Sequence, residues 1–159
     1  MTTKNSTLVA NYEATPQVAS NSQELHGVMR VAQGTVALVG GDSTTNDVVM
    51  LAPLPSNASI VSLNIASDTF GASAAFNVGL HNTDGSAADA DVYATAVADA
   101  GAMADVRTEA ANITTIGTKI WQNAGATSDP GGFYYVSVTF SADGGTAGDM
   151  SFIIEYVVN

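Results

Sequence analysis

Between His81 and Asp105 the chain reads HNTDGSAADADVYATAVADAGAMAD and carries Asp84, Asp89, Asp91, Asp99 and Asp105, with nothing between them bulkier than a single tyrosine and one methionine. Three kinds of chemistry use carboxylates at such density. A calcium ion takes about six to eight oxygen ligands, which aspartates and backbone carbonyls together can supply. Asp84, Asp89 and Asp91 in DGSAADAD do not follow the EF-hand order of ligands, however. A glycosidase needs two carboxylates set across the width of a sugar ring. The third reading is structural: Asp84–Gly85 is turn chemistry, and the small residues after it let a chain cross a surface without packing. On this reading Asp84, Asp89 and Asp91 lie in a solvated loop joining strands at 74–82 and 91–97, with calcium as the lesser alternative.

The other chemistry-bearing residues are sparse. His26 and His81 have no second histidine or carboxylate at ligand spacing, and they read as surface or turn residues. No serine sits in a nucleophile elbow. ALVGGDST, at 37–44, is glycine-rich but lacks the Gly-Lys-Ser/Thr ending of a phosphate-binding loop, so it reads as a turn. Trp121, the single tryptophan, lies near Ile116 and Ile120 and reads as core. Phe133 and Tyr135 are the places where an outward-facing aromatic platform for sugar could form. The expectation is a non-enzymatic protein, with no catalytic, cofactor-binding or metal-binding residue assigned.

Composition narrows the partners. The chain has 159 residues, a length that fits one domain. Hydrophobic residues make up 46%, enough for a core, whereas charged residues make up only 12%, about half the usual share of ~25%. Four basic residues, Lys4, Arg30, Arg107 and Lys119, stand against fifteen acidic ones, for a formal charge of −11. Nucleic-acid binding rests on neutralising phosphates with Lys and Arg, so neither a nucleic acid nor an anionic membrane is an expected partner. A basic protein surface is. There is no cysteine, which excludes disulfides and thiolate metal sites and fits assembly in a reducing cytoplasm. No apolar run approaches the roughly 20 residues of a membrane helix, and the first residues lack the apolar core of a secretory signal. The Asn-X-Ser/Thr sequons at Asn5, Asn57 and Asn112 read as chance in a Ser/Thr-rich chain.

These residues must be held by short strands. Residues 1–25 are polar and aperiodic, and are expected to form an extended arm; 26–159 are expected to form the domain. GVMRVAQGTVALVGGD holds two apolar runs, 28–31 and 36–39, around Gly34. A strand over 47–51 should stop at Pro53 and Pro55. ASIVSLNIAS alternates, with Val61, Leu63 and Ile65 on one face, and AAFNVGLHN does the same with Phe76, Val78 and Leu80. Period-two alternation marks half-buried strands. The linker SDTFGAS reads as a hairpin connection. FYYVSVTF points Tyr134, Val136, Val138 and Phe140 one way, MSFIIEYVV points Met150, Phe152, Ile154, Tyr156 and Val158 one way, and the polar loop between them suggests an antiparallel pair. Residues 92–97 read as a strand, with loop following. Only 109–124 looks helical, with Ile113, Ile116 and Ile120 at helical spacing and Gly125 as a C-terminal cap; a strand over 119–122 is the alternative, since Gly117 and the threonines disfavour a helix. About eight short strands, turn-rich connections and at most one short helix predict an all-β antiparallel sandwich, a jelly roll first and an immunoglobulin-like sandwich second.

Three passages carry a resemblance: GVMRVAQGTVAL with DVVMLAPLPSNASIVSLNI, then FNVGLHNTDGSAADADVYATAV, then IWQNAGATSDPGGFYYVSVTF. They cover most of the chain after residue 25. In these the chain resembles head decoration, or cement, proteins of tailed bacteriophages and related small virion proteins. The resemblance implies a sandwich that sits on the outer surface of an assembled capsid and clamps neighbouring major capsid protein subunits, often as a homotrimer. It offers no catalytic residue to carry over. It implies a virion location, with assembly in the host cytoplasm, and makes the N-terminal arm a candidate for contact with capsid or sister subunit. The alternative is a virion-associated carbohydrate- or receptor-binding sandwich of a head fibre or tail.

Overall fold

A computed structural model of the chain describes residues 5–20, 27–99, 101–107 and 117–158. Eight strands are described: β1 (Met29–Leu38), β2 (Val48–Pro55), β3 (Ala58–Ser67), β4 (Ala75–His81), β5 (Ala87–Ala98), β6 (Ala104–Asp105), β7 (Phe133–Ala142) and β8 (Gly148–Val158). They form two four-stranded sheets, ordered β1-β8-β3-β6 and β2-β7-β4-β5. The pairings β1 with β8, β2 with β7, β3 with β6 and β4 with β5 are all antiparallel. A single long hairpin, bent at β4–β5 and rolled up, produces this set. Two further contacts, β3 with β8 and β4 with β7, close each sheet. This is the jelly roll.

Rolling up separates strands that are neighbours in sequence. β3 and β4 lie in different sheets, so SDTFGAS is a crossing between sheets and not a hairpin. β7 and β8 are likewise split between the sheets. Their alternation still holds, because it reports burial rather than pairing. Tyr134, Val136, Val138 and Phe140 meet Met150, Phe152 and Ile154 in the core, and only the end of β8 departs, burying Val157 and leaving Tyr156 and Val158 half-buried. Phe140 packs edge-on against Phe70, with ring centroids 5.5 Å apart, and against Phe76 at 6.2 Å. Such T-shaped pairs set the positive edge of one ring on the negative face of another.

Several local expectations are corrected. Residues 29–38 form one strand through Gly34. β2 continues through both prolines; it is an edge strand, so the N–H groups that Pro53 and Pro55 lack need no partner on the open side. Val61 faces outward because the register slips between Ile60 and Ser62, a bulge that turns this one residue away from the core while Leu63 and Ile65 stay inside. The strand read at 92–97 spans 87–98, and Ala104–Asp105 forms β6 within the stretch read as loop.

The 109–124 stripe is not one helix. Gly117 has a φ of +83° and Lys119 is extended, which breaks any helix between Ile113 and Ile120; Ile113 and Ile116 lie outside the described residues. The described helical part is α2 (Ile120–Asn123), and Gly125 follows it at φ +76°, as its capping role requires. The expected arm is not extended throughout either. α1 (Thr7–Glu13) opens with Ser6 Oγ accepting from the Val9 N–H at 3.4 Å and buries none of its residues. Ser6 supplies the N-cap acceptor that started this turn.

Candidate functional site

The five aspartates do not converge. Asp84 sits in the β4–β5 hairpin turn, where its Oδ1 accepts from Ser86 N–H at 2.9 Å and Ser86 Oγ–H at 2.6 Å. Those bonds hold its carboxyl below the usual carboxylate range. Asn82 closes the same turn, its N–H donating to Ser86 O, with Gly85 at φ +85°. Asp99 lies at the opposite end of the sandwich, where its Oδ2 accepts from the N–H groups of Phe70 (2.5 Å) and Gly71 (3.2 Å) and so pins the β3–β4 crossing. Asp105 is on β6, paired with Arg107 at 2.7 Å. Among the described residues no three acidic or histidine side chains come together as a cation cage.

Asp89 and Asp91 are on a strand, which corrects the loop reading of 84–91. The turn spans only 82–86, and both residues belong to β5. That strand is heavily bulged. Opposite the two-residue step from Val78 to Leu80, β5 takes five, from Ala94 back to Asp89. The extra residues ride over the outer face of β4 at Gly79. A Cβ there would meet Ala90 C and Asp89 O at 2.3 Å, so only glycine admits the crossing. Burial beneath this bulge, with Asp91 adjacent, pushes the Asp89 carboxyl up.

His81 is buried, not on the surface. Its Nδ1 lies 2.7 Å from Ser137 Oγ, and Ser137 Oγ lies 3.3 Å from Gly79 O, to which it donates. Burial pulls the imidazole below its ordinary value. The cluster lies on the outer face of the second sheet and fixes β4 to β7; among the described residues no carboxylate bonds to the ring. His26 lies outside the described residues. Trp121 is half-buried on α2 against the core, with its backbone N–H donating to Ser56 O at 3.0 Å. Of the two aromatics considered as a sugar platform, Phe133 is 55% exposed and Tyr135 half-buried, so a single open ring stands there.

The sequence did not single out the surface that the fold leaves open. β1 and β2 are the edge strands at one side of the sandwich, and between them lies a groove of about 350 Å³. Val36, Leu38, Val48 and Met50 line it, and Asp42 and Asp47 stand in the loop at its end. Both carboxylates are held by that loop: Asp42 Oδ2 accepts from Val39 N–H at 3.0 Å, and Asp47 Oδ2 from Thr44 N–H and Oγ–H at 2.7 and 2.6 Å. The signal that could have pointed here is Pro53 and Pro55, which mark β2 as an edge strand.

No family model matches the chain, and neither does any curated protein. Among solved structures, the chain is similar to a chain of the cyanophage Pam1 capsid asymmetric unit. The two are 18% identical, the match covers the whole of both chains, and the TM-score is 0.56. The likeness establishes a shared fold along the full length.

Proposed function

We propose that the chain is a structural protein of a phage virion, seated on the outer surface of an assembled capsid, where it bridges major capsid protein subunits as a homotrimer and catalyses nothing. The observation that carries this reading is the full-length likeness to a capsid chain. The fate of the carboxylates supports it: Asp84, Asp99 and Asp105 are each engaged in a turn, a crossing or an ion pair. The acidity of the chain suits a basic lattice surface. The physical effect is linkage. A protein that binds only the assembled shell stabilises it by RT ln(1 + [L]/Kd) per site, and many sites add. The test is to mix purified protein with assembled heads that lack it. Saturable binding and a higher head melting temperature are expected; protein that ignores heads and locates to tails would overturn the proposal.

A further inference from the structure

Among the described residues, the side of the sandwich bounded by β1 and β2 is open in an unusual way. β1 is ten residues long and pairs with β8 in unbroken register from Met29↔Val157 to Leu38↔Gly148. It contains no proline, no bulge and no acidic residue. An edge strand presents a row of unpaired N–H and C=O groups, and proteins ordinarily blunt such edges with prolines, bulges or charges. β1 has none of those beyond Arg30, at its far end. Beside it, Val48 is 39% and Met50 36% exposed, so the free edge adjoins apolar side chains. Asp42 and Asp47 give the groove a negative end, and no cation lines it among the described residues.

We infer that this groove is where the chain docks, and that its occupant is an extended segment of the capsid protein that adds a strand to the free edge of β1. The inference rests on the capsid reading above. Each feature specifies one property of the segment. The unpaired backbone of β1 requires an extended conformation, as in other cases of strand addition. Val36, Val48 and Met50 require apolar side chains on alternate residues. Asp42 and Asp47 require a lysine or arginine where the segment reaches the loop. A second copy of the chain is disfavoured as occupant, because each copy carries a charge of −11 and would bring no cation surplus to those carboxylates.

The experiment compares wild-type protein and three variants in binding to assembled heads that lack the chain, with the melting temperature of each free variant as a folding check. Met50→Lys places a charge in the apolar part of the groove and is expected to weaken binding about tenfold or more. Asp42→Asn with Asp47→Asn keeps side-chain acceptors for the loop and removes the charge; it is expected to weaken binding about tenfold and to flatten its salt dependence. Val61→Lys, on the exposed bulge of β3, is expected to bind as wild type does. Amide exchange in β1 of the wild type is expected to slow on heads. Wild-type binding that Met50→Lys leaves unchanged, with β1 amides unprotected, would overturn the groove while sparing the capsid reading. A wild type that does not bind heads would overturn both. Self-association of the free protein that Met50→Lys abolishes would assign the groove to a second copy and overturn the proposal.

Discussion

The two sides of this sandwich are built on opposite principles. On one side β1 and β2 end the sheets as long strands, with Val48 and Met50 in the open. On the other, β5 and β6 end them, and both are blunted. β6 is two residues long. β5 shifts register three times along β4 and carries Asp89 and Asp91. Arg107, just past β6, donates to Ile60 O at 3.0 Å, to Val61 O and to Asp105, so the carbonyls around the β3 bulge are occupied. These are the devices that keep sheet edges from pairing with other chains. A short strand, repeated bulges and acidic residues thus protect the β5–β6 side, whereas β1 carries none of them. On the open side β2 is itself blunted, by Pro53, Pro55 and a register shift between Met50 and Ala52, which leaves β1 as the long regular edge.

This contrast can be broken in stability measurements. Gly79→Val should do the most harm, because the β5 backbone already occupies the space of its Cβ. We expect a loss of about 3 kcal/mol, the upper end for overpacking, in urea unfolding. Arg107→Ala should come next. It strips the Ile60 and Val61 carbonyls and leaves Asp105 without its ion pair, at about 2 kcal/mol given the worth of hydrogen bonds to charged groups. Arg107→Lys should recover only part of this, because one ammonium cannot replace the guanidinium fork.

A smaller effect is pH-dependent. Burial lowers the His81 value in the fold, so the unfolded chain takes up a proton first as the solution is acidified. The stability from neutral His81 is therefore complete above the ordinary histidine value of about 6.5 and is lost as the pH falls below it. The melting temperature of the wild type should drop across that range, and His81→Asn should remove that part of the drop. Asp105 acts lower still. Burial raises its carboxyl, but the hydrogen bonds and charge of Arg107 together outweigh that and leave it lowered, so its contribution fades only as the pH falls through the carboxylate range. The smallest stability change is expected on the open side, where Met50→Lys should stay within about 0.5 kcal/mol of wild type, as for a surface position. An equal loss there and at Arg107 would mean the two sides are not built differently.

What the sequence could reveal follows the same division. Alternation in 133–140 and 150–154 identified the inward residues, because burial leaves a period-two trace in each strand alone. Pairing leaves no such trace. Met29 meets Val157 across nearly the whole chain, whereas closeness in sequence suggests pairs β3 with β4 and β7 with β8, which the roll separates. Pro53 looks like a stop in the sequence because edge status depends on the sheet and not on the strand. Asp89 and Asp91 look like loop residues because small neighbours suit both a loop and a bulged edge, and only Gly79 beneath them shows which was built. His81 looked peripheral because the hydroxyl that receives it, Ser137, is 56 residues away. The groove was invisible for the same reason: its walls come from two sheets.

The most direct test of the account is the binding of the wild-type protein to assembled heads that lack it, followed by the melting temperature of the heads. The account predicts saturable binding to the outer surface and heads that melt at a higher temperature. Heads that bind none of the protein and melt unchanged would contradict it.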